Sequence, residues 1–143
     1  MEPTLDDRLG GRIGAVLGLK SGADELALAR GDRKRLGAAL IRNLTTESLL
    51  SPADVHRVVP RRTWVRRKAQ GGLTSAEFDA LYRLVRLSTL AQLVFGDRQR
   101  ADEWLHASKA RLGGVSPLAF ASDLLGHQAV ENWLHQIDQG YLA

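Results

Sequence analysis

Four histidines, His56, His106, His127 and His135, are the first side chains to test for chemistry. An imidazole can pass a proton near neutrality or hold a metal ion. The spacing supports neither use. His127 and His135 lie eight residues apart, which is about 12 Å along one helix, and no HExxH arrangement occurs. All four are read as ordinary surface or partly buried histidines. The adjacent Asp102-Glu103 pair suits the first turn of a helix, where the backbone dipole favours negative charge, better than acid/base work. There is no cysteine, which removes disulfides, iron–sulfur clusters, cysteine zinc sites and a thiol nucleophile. G-x-S-x-G, Walker A and G-x-G-x-x-G patterns are absent. Gly10-Gly11 and Gly113-Gly114 read as turns rather than phosphate cradles. The sequence predicts no enzyme, no cofactor and no metal.

The charge pattern points to binding instead. Lys and Arg number 20 against 16 Asp and Glu, a net +4. Residues 51–70 carry six basic groups and one acidic group, more than the whole excess. Residues 113–143 carry no Lys or Arg and three acidic groups. Such a split predicts different partners for the two regions. At 143 residues, 44% apolar and 25% charged, the chain matches one ordinary globular domain or two small ones. No apolar run approaches the roughly 18–20 residues that cross a bilayer. The opening MEPTLDDRLGG does not resemble a secretory leader, so a cytoplasmic protein is expected.

The elements that must position these groups are helical, for strand signals are nearly absent. Leu5, Leu9, Ile13, Val16 and Leu17 have helical spacing, interrupted by Gly10, Gly11, Gly14 and Gly18. Each interior glycine costs roughly 1 kcal/mol against alanine, so this helix needs packing support. Leu36, Ala39, Leu40 and Leu44 predict a helix over 33–44. Ser51-Pro52-Ala53-Asp54 opens another, with Val55, Val58 and Val59 inward. Pro60 makes a tight turn, and Arg61 to Gln70 follows, ending at Gly71-Gly72. The capping box Thr74-Ser75-Ala76-Glu77 opens the longest helix, 75–95, with Phe78, Leu81, Tyr82, Val85, Ala91 and Phe95 as its core stripe. Asp97 caps a helix over 98–108, where Trp104 and Leu105 face inward. Ser116-Pro117 opens a helix to Leu125 that Gly126 stops. The last helix, 127–139, carries Val130, Trp133, Leu134 and Ile137, and Gly140 ends it before Tyr141-Leu142-Ala143. Trp104 and Trp133 are read as core residues rather than interface anchors.

Two short helices around Pro60 make a helix-turn-helix whose second helix can lie in a DNA major groove. Arg61, Arg62, Thr63, Arg66, Arg67 and Lys68 are its candidate DNA contacts. Arg62 and Arg66 are four apart, as are Thr63 and Arg67, so each pair shares a side of the helix. Trp64 and Val65 are expected to anchor that helix to the domain. Arginine can pair bidentately with guanine, and phosphate contacts hold the register. With ~4–6 phosphate contacts, log affinity would fall against log salt with a slope of about −4 to −5. The plainer alternative is an arginine-rich solvated face.

Further along, a set of spaced motifs agrees in order: Ala101-Asp102-Glu103-Trp104-Leu105, Leu112-Gly113-Gly114, Ser116-Pro117-Leu118, Gly126, Val130-Glu131-Asn132-Trp133-Leu134 and Ile137-Asp138-Gln139-Gly140-Tyr141. They resemble the toxin-binding domain of the Xre/MbcA/ParS antitoxin family. Upstream, Leu50-Ser51-Pro52, Val59-Pro60-Arg61-Arg62-Thr63, Arg66-Arg67, Leu73-Thr74, Arg83-Leu84 and Val94-Phe95-Gly96-Asp97 are similar to the middle of the same antitoxins. The resemblance spans about residues 50–143. Ser122-Asp123-Leu124-Leu125 stands where the family pattern has a Thr-Glu or Thr-Asp pair, and Ala76-Glu77-Phe78-Asp79-Ala80 where it favours Glu-Ser-Asp-Arg-Leu.

The resemblance implies an all-α protein, with an Xre-like helix-turn-helix region over residues 1–72 and a small helical toxin-binding domain over 73–143. It implies an antitoxin that covers the active site of a RES-domain toxin, an enzyme that degrades NAD or transfers ADP-ribose from it. Toxin contacts are expected from Glu131, His135, Gln136, Asp138, Gln139, Gly140, Tyr141, Leu142 and Ala143. Binding to operator DNA of its own operon is implied too, as a homodimer or a higher hetero-oligomer with toxin. The competing reading is a stand-alone helix-turn-helix regulator whose C-terminal half serves only dimerisation.

Overall fold

The computed structural model describes residues 1–19, 25–46 and 50–141. The described residues are helical, joined by short turns. In chain order the helices are α1 (Leu5–Val16), α2 (Glu25–Arg30), α3 (Arg33–Thr46), α4 (Pro52–Val58), α5 (Arg61–Gln70), α6 (Ser75–Phe95), α7 (Arg98–His106), α8 (Pro117–Phe120) and α9 (Leu124–Asp138). One 3₁₀ turn covers Ala110–Leu112. No described helix is long and apolar enough to cross a membrane.

The chain divides into two compact units, Met1–Val85 and Arg86–Ala143. The division falls inside α6. The reason lies in what each half of that helix holds. Its first half is tied to α3 and α5, through Arg33 to Asp79 at 2.7 Å and Arg67 to Glu77 at 2.8 Å. Its second half is tied to α7 and α9, through Phe95 on Trp104 and Arg86 to Glu131 at 3.0 Å.

In the first unit, α1 runs unbroken through Gly10, Gly11 and Gly14. A capping box starts it: the Thr4 hydroxyl accepts from the Asp7 N–H, and the Asp7 carboxylate accepts from the Thr4 N–H. Packing supplies the support that the glycines withhold. Leu9, Ile13, Val16 and Leu17 at α1 are buried, as are Leu36, Ala39, Leu40, Ile41 and Leu44 of α3. The Asn43 side-chain amide donates to the Val16 carbonyl and satisfies the end of α1. Helix α2 escapes a sequence reading because it is six residues long and buries none of them.

The second unit is built around two tryptophans. Trp104 of α7 and Trp133 of α9 meet edge to face, with ring centres 5.0 Å apart, and Phe95 lies 5.6 Å from Trp104. Leu90, Ala91, Leu105, Leu118, Val130 and Leu134 complete the core. Lys109 and Arg111 lie over the outer ring faces, 5.4 Å from Trp104 and 4.5 Å from Trp133, a cation–π arrangement. Both tryptophans are core residues, as their place in apolar stripes predicted. Gly113, at φ +73°, allows the chain to leave the 3₁₀ turn, and Lys109 N–H donates to the Val115 carbonyl at 3.0 Å to close the loop.

The chain between α7 and α9 departs from expectation. Helix α8 stops at Phe120, and α9 starts at Leu124 with Asp123 as its N-cap, accepting from Gly126 N–H at 2.7 Å. Gly126 therefore lies inside the first turn of α9 and stops nothing. It is there because the Phe120 carbonyl passes over it: an added Cβ would fall 1.9 Å from that oxygen.

Candidate functional site

Two surfaces answer to the two charge regions. The first is the outer face of α5. Ser51 caps α4 by accepting from the Asp54 N–H, and Val59-Pro60 alone connect α4 to α5. Val59 is fully buried, which fixes the turn. Within α5 only Trp64 is buried. Arg61, Arg62, Arg66 and Lys68 project to solvent, while Thr63 is half-buried. Arg67 is committed elsewhere. Its Nε and Nη2 donate to the Glu77 carboxylate at 2.8 and 3.2 Å, and Glu77 also accepts from the Thr74 N–H that caps α6. The Arg67 hydrogen bond holds the Glu77 carboxyl below the ordinary value. Arg67 thus fastens α5 to α6. Val65 does not anchor the helix as expected; it stands exposed on the basic face.

The second surface is the outer face of α9. The helix buries Gly126, His127, Val130, Trp133 and Leu134 on one side. Leu124, Leu125, Gln128, Ala129, Asn132, Gln136 and, in the last turn, Asp138 are exposed away from it. Six of these seven side chains carry no charge, and the one that does, Asp138, is the last residue of the helix. Two leucines, at 58% and 78% exposure, begin the face, and Phe120 stands partly exposed on neighbouring α8. Interfaces are depleted of charge at their centres, so a bare helical face of this kind is suited to a protein partner. The signal is present in the sequence as the missing Lys and Arg of residues 113–143, yet no motif there singles out Leu124, Leu125, Gln128 or Asn132.

The expected toxin contacts fall into three groups. Gln136, Asp138, Gln139, Gly140 and Tyr141 are exposed at the end of α9, and His135 is half-buried. Gln136 Oε1 accepts from Arg111 at 3.3 Å, and its carbonyl accepts from the Tyr141 N–H at 3.0 Å, which folds the chain back after Gly140. Glu131 points inward, its side chain 13% exposed. It takes both carboxylate oxygens to Arg86 Nε at 3.0 Å and bonds His127 Nε2 one turn earlier. Leu142 and Ala143 lie outside the described residues.

The Glu131 cluster sets an acid limit. Burial, the largest influence, pushes its carboxyl up, but the hydrogen bonds and charges of His127 and Arg86 together leave it below the ordinary 4.5. A carboxylate depressed by folding stabilises the fold above its unfolded pKa, and that contribution is lost as pH falls through the folded value. Thermal melts should therefore show the wild type losing more stability below about pH 4.5 than Glu131→Gln, whose acid limb should be flatter. Parallel limbs would show that the cluster contributes nothing to acid sensitivity.

Comparison with known proteins bears on the second surface. Residues 90–140 match the family described as the antitoxin Xre/MbcA/ParS C-terminal toxin-binding domain. The match begins in the second half of α6 and covers α7, α8 and α9. The antitoxin Xre of Pseudomonas putida is 29% identical over 131 residues, which is 91% of this chain and 82% of that protein. By these likenesses the chain is similar to the Xre/MbcA/ParS-type antitoxins, and its residues 90–140 are similar to that family's C-terminal toxin-binding domain.

Proposed function

We propose that this chain neutralises a RES-domain toxin that consumes NAD or transfers ADP-ribose, by covering its active site, and that it performs no chemistry itself. The observation that carries the reading is the toxin-binding match over residues 90–140, which contains the outward face of α9, uncharged up to Asp138 in its last turn. The mechanism is steric. The rigid tryptophan-centred core presents α9 as a preformed wedge, so little ordering entropy is lost on docking. Leu124, Leu125, Gln128 and Asn132 supply apolar contact and neutral hydrogen-bonding groups. His135, Gln136, Asp138, Gln139, Gly140 and Tyr141, with Leu142 and Ala143, extend the same contact past the helix end. Glu131 serves it from behind, by holding α9 to α6.

The first unit is proposed to bind operator DNA of the same operon, through Arg61, Arg62, Thr63, Arg66 and Lys68, as a homodimer or within a larger complex with toxin. Support comes from the exposure of four cations on one short helix after a two-residue turn.

The test is co-expression with the product of the neighbouring reading frame. Joint purification and relief of its growth arrest are expected. A neighbour that is harmless, or harmful and unrelieved, contradicts the proposal.

A further inference from the structure

Helix α5 carries one exposed feature that charge does not explain. Val65 is 61% exposed, and Ala69 is exposed one turn later on the same side. At 3.6 residues per turn, these two run down the middle of the outward face. Arg61 and Lys68 flank them on one side, and Arg62 and Arg66 on the other. Lysine or arginine at position 65 would favour the helix more than a β-branched side chain does. A methyl-bearing strip between two rows of cations matches a polyanion that presents methyl groups at the floor of a groove. Duplex DNA is that polyanion, because thymine places its C5-methyl in the major groove, where a helix can reach it. An RNA duplex offers neither that methyl nor an accessible major groove.

We propose that Val65 is a base-reading residue, whose isopropyl group meets a thymine methyl while the flanking arginines hold phosphate or guanine. The proposal rests on the DNA-binding reading above, and supplies the sequence preference that reading lacks: a thymine opposite the middle of α5.

The experiment works without the operator sequence. The DNA upstream of this chain's own reading frame is amplified once with dTTP and once with dUTP, which deletes every thymine methyl and keeps every base pair. Binding is measured for the wild type and for Val65→Ala, whose solvent-facing position and stronger helix propensity leave the thermal melt no lower than that of the wild type. The wild type should bind the thymine duplex about fourfold more tightly for each methyl met, the worth of one buried methyl group. Val65→Ala should bind both duplexes alike, at the wild-type affinity for the uracil duplex. An equal thymine preference in Val65→Ala, or no preference in the wild type, overturns the assignment of Val65 and leaves DNA binding standing. No retardation of either duplex by the wild type at low salt overturns both.

Discussion

Gly126→Ala should destabilise the C-terminal unit by about 3 kcal/mol or more. The added methyl would sit 1.9 Å from the Phe120 carbonyl oxygen and 3.0 Å from its carbon. These are backbone atoms, so no rotamer change relieves the clash. Either α8 moves away from α9, or the first turn of α9 unwinds and loses the Asp123 cap, itself worth about 1 kcal/mol. The expected drop in melting temperature is about 10 °C for a chain of this size. Gly11→Ala is the matched control. It lies in α1, and its added methyl would meet nothing within 4 Å. That change should stabilise by roughly 0.5–1 kcal/mol, through helix propensity alone. If the two variants melt alike, the close approach of α8 to α9 is not a constraint.

Arg62→Ala combined with Arg66→Ala should abolish retardation of promoter DNA and leave toxin binding intact. The two side chains are one turn apart and solvent-facing, so little folding energy is at stake. Removing one phosphate-binding cation takes about 0.9 off the salt slope, and removing a guanine pairing adds a factor of ten or more. Arg67→Ala should behave differently. It frees Glu77 and the start of α6, so a lower melting temperature should accompany any loss of DNA binding. Gel retardation across a salt series, beside co-purification with toxin, separates the cases. Equal loss of both partners by the Arg62/Arg66 variant would indicate unfolding.

How much of the molecule is legible in its sequence follows from the range of the forces involved. Helix α6 reads correctly from 75 to 95 because its signals are local: Thr74 and Glu77 cap each other, and Gly96 ends the pattern. The helix-turn-helix order around Pro60 and the tryptophan core are legible for the same reason. Gly126 misleads because a glycine that ends a helix and one that admits a neighbouring carbonyl look alike in sequence. Val65 misleads because a ten-residue helix that buries one residue has too little periodicity to show that only Trp64 of the adjacent apolar pair goes in. Arg67 and Glu131 read as outward contacts because their partners are not local patterns. Glu77 lies ten residues from Arg67, and Arg86 lies 45 from Glu131. The outward face of α9 is legible only as the missing Lys and Arg of residues 113–143, because absent charge marks a region and singles out no residue.

The account depends most on that face meeting a toxin. Its most direct test is growth of cells that carry the neighbouring toxin gene together with Gln128→Glu plus Asn132→Glu. Both positions are exposed and one turn apart, so the paired charges cost the helix only a few tenths of a kcal/mol, whereas burying them at an interface costs several. The expected result is a folded, equally abundant protein that no longer rescues growth. Full rescue by that variant would contradict the account.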